Sequence, residues 1–243
     1  MSSATPVATG PAPGPRRSPW AMLLSVMTEP RATFEALRAK PLWWQPLLAF
    51  WLLTTIVGLA AVPKGIEAGL AAAQAQSPGV DIEAMRRTVT TIAYVSVPFS
   101  SLLTIAVGTL ILAGVLALIG TMFGGEGSFM QIWSVTLYSS VPSSIFATLI
   151  NAAMTMLTPA ANVGRISTSL AAFLPSESVG SGLWYVLSAF DPFSIWSLVL
   201  LILGYALIMQ YSVKKSAWIN VPVWLVKYGI TMGMVAIGLS RMG

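Results

Sequence analysis

The sequence predicts an all-α, polytopic helical membrane protein with about five transmembrane helices and short interfacial helices. Three observations predict it. The 243 residues are 56% apolar and only 9% charged, where a soluble domain carries about 25% charge. Four runs, 41–63, 88–125, 127–164 and 192–213, contain no charge at all. Each is long enough to span a hydrocarbon core, which takes roughly 20 helical residues.

Residues 1–17 are rich in Pro, Ala and Gly and poor in bulky apolar residues, the composition of a disordered tail. No apolar core precedes Arg16, so the sequence predicts no cleaved signal peptide. Ser18 and Pro19 mark a helix start, and Thr28-Glu29-Pro30 marks a second. The two helices are too short to span. Phe34 and Leu37 share one face of the second, among Arg31, Glu35 and Arg38, so both helices are expected along the membrane surface.

Trp43 and Trp44 mark a headgroup boundary. The predicted spans are about 46–62, 92–119, 130–157, 192–211 and 221–239, all within one membrane domain over 18–243. Asp81 is placed to cap the second long helix, which is expected to overshoot the bilayer and to kink near Pro98. The stretch 159–190 reads either as an extramembrane connection or as a re-entrant one. Basic residues before the first span, with Lys214 and Lys215, place the N-terminus in the cytoplasm. In a bacterium the membrane would be the cytoplasmic (inner) one.

Composition narrows the chemistry. The chain contains no His and no Cys, which removes the commonest metal ligands, disulfides and serine–histidine dyads. No phosphate-binding glycine motif occurs. No cofactor, no metal and no nucleic-acid partner is expected, and no enzymatic activity.

Three stretches carry a resemblance. EPRATFEALRAKPLWWQPLL at 29–48, GEGSFMQIWSVTLYSSVPS at 125–143 and FDPFSIWSLVLLILGYAL at 190–207 together resemble the Yip family (Ypt/Rab-interacting membrane proteins), in its bacterial branch, over about 28–240. The resemblance implies a five-helix membrane domain with a cytoplasmic N-terminus. Its eukaryotic relatives are linked to vesicle traffic, Rab-type GTPases and membrane shaping, often through a longer cytoplasmic N-terminal region than the roughly 40 residues here. The expected function is a non-enzymatic membrane-organising or adaptor subunit, partnered by membrane lipids and other membrane proteins, with homo-oligomerisation open. The alternative is a transporter or permease component for a small solute or lipid.

Four groups of residues stand out. Asp191, Pro192, Phe193 and Trp196 open the fourth span, where Asp191 suits an N-cap and matches the family stretch. Tyr138, Ser139 and Pro142 form a polar kink in the third span, read either as packing or as a patch for a headgroup or small solute. Gly229 and Gly233, four apart, suit close helix packing. Lys227, alone among basic residues inside a predicted span, is expected either to snorkel to the cytoplasmic interface or to meet Glu126 in the loop after the second span.

Overall fold

The computed structural model describes residues 18, 20–76, 79, 81–158, 167–179 and 181–240, the last ten for their backbone only. The expected tail and the predicted side-chain role of Gly233 lie outside the described residues. Within them the chain is helical, with no strand.

α1 (Ala21–Thr28) and α2 (Pro30–Ala39) begin as the sequence expects. Ser18 Oγ accepts from Ala21 N at 3.3 Å, and Pro30 occupies the first turn of α2. Most of their apolar residues turn inward, while Leu24 of α1 stays exposed. Phe34 and Leu37 are 0% exposed, because α2 packs against α8 (Pro192–Met209) and α5 (Phe129–Ser139). The seat is Gly204, where an added Cβ would lie 2.6 Å from Val135 and 3.0 Å from the Phe34 ring. One side chain locks the entry. Gln131 closes a capping box with Ser128 at the start of α5, and its Nε2 donates at 2.7 Å to the Arg38 carbonyl near the end of α2.

α3 (Trp44–Gln76) and α4 (Ile82–Met122) form a long antiparallel pair. α3 continues through Pro63, well past the expected end of the first span. α4 is one helix of 41 residues, about 62 Å at 1.5 Å per residue, and it contains Pro98. The pair is held by Trp51 Nε1 donating to Pro98 O at 2.9 Å and by a Thr55–Ser101 hydroxyl contact at 3.0 Å. It closes over Gly58, where a Cβ would fall 2.8 Å from Val97. Asp81 Oδ1 caps α4, accepting from Glu83 N and Ala84 N.

The third span is broken. α5 ends at Ser139, a π-helical segment runs Pro142–Ala147, and α6 (Thr148–Leu157) completes it, with a 40° bend between the two parts. Proline removes a backbone donor and widens the turn. The hydroxyls around it bond back to carbonyls: Ser140 Oγ to Thr136 O at 2.8 Å and Ser143 Oγ to Ser140 O at 3.1 Å.

From 167 onward two 3₁₀ turns and α7 (Gly182–Ser188) lead to α8. α8 ends at Met209 and is capped by Gln210, in the left-handed region with φ 56°, and three residues separate it from α9 (Val213–Ser240). Among the described residues α3, α4 and α8 are long and apolar enough to cross a membrane, and the bent third segment makes a fourth. The fifth expected span falls in α9, whose side chains from 231 on are not described.

Among the described residues Gly229 meets nothing within 4 Å of an added Cβ, whereas Gly204 is closely packed. Gly204→Val should therefore unseat Phe34, with an overpacking cost of about 1–3 kcal/mol. The expected result is a lower melting temperature in detergent, with Gly229→Val unchanged. Equal effects from the two would remove the Gly204 seat.

Candidate functional site

The alternating helices bring two groups of polar residues together. At one end lie α1–α2, the turn after α4 and the turn between α8 and α9. Glu126 accepts from Gln210 Nε2 there, and Lys215 Nζ donates to Phe123 O at 2.9 Å while lying 3.8 Å above the Tyr211 ring. Tyr211 OH donates to Gly120 O at 2.6 Å. Lys215 and Tyr211 thus reach carbonyls at the C-terminal end of α4, where Gly120 O also accepts from the Gly125 N–H at 2.9 Å. Arg31, Arg38, Lys40 and Lys214 are exposed at the same end.

The second group lies inside the bundle. A cleft of about 50 Å³ opens between the broken third span, α8 and α9, lined by Ser139, Ser143, Ser197, Asn220, Lys227 and Tyr228 among others. The helix break turns Ser143 toward α8, where its N–H donates to Ser197 Oγ at 3.3 Å and Ser197 Oγ donates to Ser143 Oγ at 3.0 Å. Tyr228 OH donates to Ser194 Oγ at 2.9 Å. A larger cavity of about 350 Å³ adjoins on the far side of the π segment, lined by Lys64, Asn151 and Thr155 and sharing Ser143. Lys64 Nζ donates to Thr155 O at 3.0 Å and Met156 O at 3.1 Å, a cation on the C-terminal carbonyls of α6, where the dipole favours it. Among the described residues no group of three or more acidic side chains gathers as a metal site would require.

The expected residues distribute as follows. Asp191 caps α8, its Oδ1 accepting from Phe193 N at 2.8 Å and Ser194 N at 3.1 Å. Its other oxygen accepts from Thr168 Oγ1, so the cap also anchors the preceding loop. Pro192 fills the first turn, Phe193 is half-buried, and Trp196 is exposed on the outer face. The polar kink divides: Ser139 lines the cleft, whereas Tyr138 and Pro142 are buried away from it.

The expected Glu126–Lys227 contact does not form. Glu126 sits beside Gln210, at the end of α8, while Lys227 adjoins Tyr228, which bonds Ser194 in the first turn. Sixteen helical residues separate Ser194 from Gln210, about 24 Å. The reason is the start of α9 at Val213 rather than near 221. Lys227 is carried fourteen residues along the helix, about 21 Å from its start, away from the end that holds Glu126.

Sequence reasoning missed Asn220, Tyr228, Ser197 and Lys64. A signal existed for the first: Ser216, Asn220, Trp224 and Lys227 recur at three or four residues, a polar stripe on one face of an apolar helix.

Comparison with known proteins gives a consistent result. The Yip1 domain family matches residues 24–234. The chain is 29% identical over 216 residues to membrane protein YknW of Bacillus subtilis (strain 168), covering 88% of this chain and 90% of that one. No solved structure matches. With the family match running through nearly all of the helical domain described above, the chain belongs to the Yip1 domain family of membrane proteins.

Proposed function

We propose that this protein is a non-enzymatic membrane-organising or adaptor subunit, oriented with its N-terminus in the cytoplasm and acting at its cytoplasmic end. The observation that carries the reading is the docking of α2. Phe34 and Leu37 are fully covered by the bundle, so the charged face of α2 is fixed to the spans rather than tethered to them. Arg38 and Lys40 at the end of α2 and Lys214 at the start of α9 thereby form a rigid basic rim at one end of the bundle. A basic side chain near an anionic leaflet contributes about 1 kcal/mol. Three carried on a fixed backbone frame act on the same surface. The absence of His and Cys supports a role in binding over one in catalysis.

Two measurements test this reading. The chain contains no Cys, so single cysteines report topology without background. Ser212→Cys should react with an impermeant maleimide only after the membrane is opened, and Glu177→Cys in intact cells. The reverse pattern would invert the orientation.

Neutralising Arg38, Lys40 and Lys214 to Gln should remove about 3 kcal/mol of attraction to an anionic surface. The expected readout is loss of anionic-lipid enrichment, and of stoichiometric protein partners, in polymer-extracted particles. Unchanged lipid and protein composition would refute the role of the rim.

A further inference from the structure

The larger cavity, about 350 Å³, differs from the polar cleft in what its walls leave free. It lies between α3 and the second half of the third span, at the low end of the roughly 300–1,000 Å³ that small-molecule sites occupy. Val57, Ala60, Ala61, Ala147 and Ala152 supply its apolar wall. The polar side chains beside them turn their donors back to their own helix. Ser143 Oγ donates to Ser140 O at 3.1 Å, Asn151 Nδ2 to Ala147 O at 2.8 Å and Thr155 Oγ1 to Asn151 O at 2.7 Å. A held water needs about two to four polar partners, which this wall does not gather around one point. An empty void, in turn, forfeits the dispersion contacts of its lining. The guest that suits such a wall is a hydrocarbon chain.

The depth of the cavity says where that chain comes from. Lys64 stands twenty residues beyond Trp44 on α3, about 30 Å along the helix, which is the thickness of the hydrocarbon core. With Trp43 and Trp44 at one headgroup boundary, Lys64 meets the other. Val57 lies seven residues back toward the bilayer centre, about 10 Å. The cavity therefore reaches from a headgroup plane into one leaflet. Ala60, Ala61 and Met156 in its lining are exposed, so it opens sideways to lipid. Lys64 adds a second requirement. Its ammonium carries three donors. Two are well held, by Thr155 O at 3.0 Å and Met156 O at 3.1 Å, while the contact to Thr158 O at 3.4 Å exceeds the usual N–H···O range of about 2.7–3.2 Å. Among the described residues Lys64 pairs with no carboxylate, Glu67 one turn on included. Its charge faces only the carbonyl dipoles that end α6, and one proton is left for an anionic oxygen.

We propose that this cavity holds one acyl chain of a membrane phospholipid, with a phosphate oxygen of its headgroup on the weakly held proton of Lys64. The chain lies along Ala60 and Ala152, and the side opening leaves the second chain in the bilayer. The lipid is then a fixed part of the contact between α3 and α6, filling a gap that the two helices do not close themselves. The proposal goes beyond the role of the cytoplasmic rim, uses none of its residues and holds for either orientation of the chain in the membrane.

The test is native mass spectrometry of the full-length protein in detergent, with dioleoylphosphatidylglycerol, dioleoylglycerol and oleate offered separately. Dioleoylglycerol carries the same chains without a phosphate; oleate carries one chain and a carboxylate. Phosphatidylglycerol should be retained over dioleoylglycerol by roughly tenfold, the scale of one charge-assisted hydrogen bond. Lys64→Met should remove that preference. Lys64 also closes the end of α6, so a second pair of variants leaves it in place. Ala152→Phe sets a ring in the cavity and should lower phosphatidylglycerol retention roughly tenfold. Ala153→Phe, at an exposed neighbour outside the lining, should leave it unchanged. Lipid held only at the basic rim would survive Ala152→Phe, so the two readings fail separately. Retention of oleate without phosphatidylglycerol would overturn the phospholipid in favour of a free fatty acid. Equal retention of phosphatidylglycerol and dioleoylglycerol, or equal effects of Ala152→Phe and Ala153→Phe, would overturn the proposal.

Discussion

A backbone inside a bilayer has no water to turn to, and that constraint governs this fold. Every N–H and C=O must be met by the chain itself. Continuous helices do so along α4 and α8, and hydroxyls inside the spans reinforce them by donating to the preceding turn, as Thr54 does to Phe50 O and Thr109 to Ile105 O. The break at Pro142 departs from this arrangement. There the chain bends by 40° and widens into a π-helical segment, with Ser140 and Ser143 donating to Thr136 O and Ser140 O. The serines keep their hydroxyls bonded within the bent span, and the cleft lies beside the bend.

Close helix approach is the second determinant. The bare backbones of Gly58, Gly120 and Gly204 admit Val97, Met209 with Tyr205, and Val135 with Phe34 respectively. At Gly204 three elements meet, since α2, α5 and α8 all contribute. Gln131 joins two of the same elements from the polar side. A short helix that would be marginal by itself is thereby fixed to the bundle, and the basic residues at its end hold a defined position relative to the spans.

The two ends of the molecule differ chemically. One end gathers basic side chains and capped helix ends: Lys215 on the carbonyl of Phe123, Gln210 beside Glu126, and Gln131 on α2. The other carries the loop anchored by Asp191 and the polar cleft with Lys227 at its mouth. A membrane protein can act on its surroundings by holding charges at a headgroup plane and by offering a polar recess in an apolar wall. Exposed basic side chains and a polar recess both occur here, at different places in the bundle.

The sequence by itself determined the membrane class, the helical architecture and most helix starts. Charge-free runs, prolines and caps act within a few residues, so Asp81, Asp191 and Pro142 announce their roles locally. The family stretches at 29–48, 125–143 and 190–207 were legible for the same reason, as continuous text. Of the candidate site, Ser139 and Lys227 were visible because a polar kink and an intramembrane cation are conspicuous in an apolar background. The tertiary structure decided which polar groups meet. The short turn at Gln210–Ser212 sets the register of α9, moving Lys227 about 21 Å from the start of its helix and away from Glu126. It decided that Gly58, Gly120 and Gly204 are sites of close approach while nothing described meets Gly229, because a glycine in a helix reads alike whether its bare face meets a neighbour or lipid. It also decided that the apolar face of α2 is covered by protein. Amphipathic spacing specifies that a face must leave water; only the packing of α5 and α8 specifies what covers it.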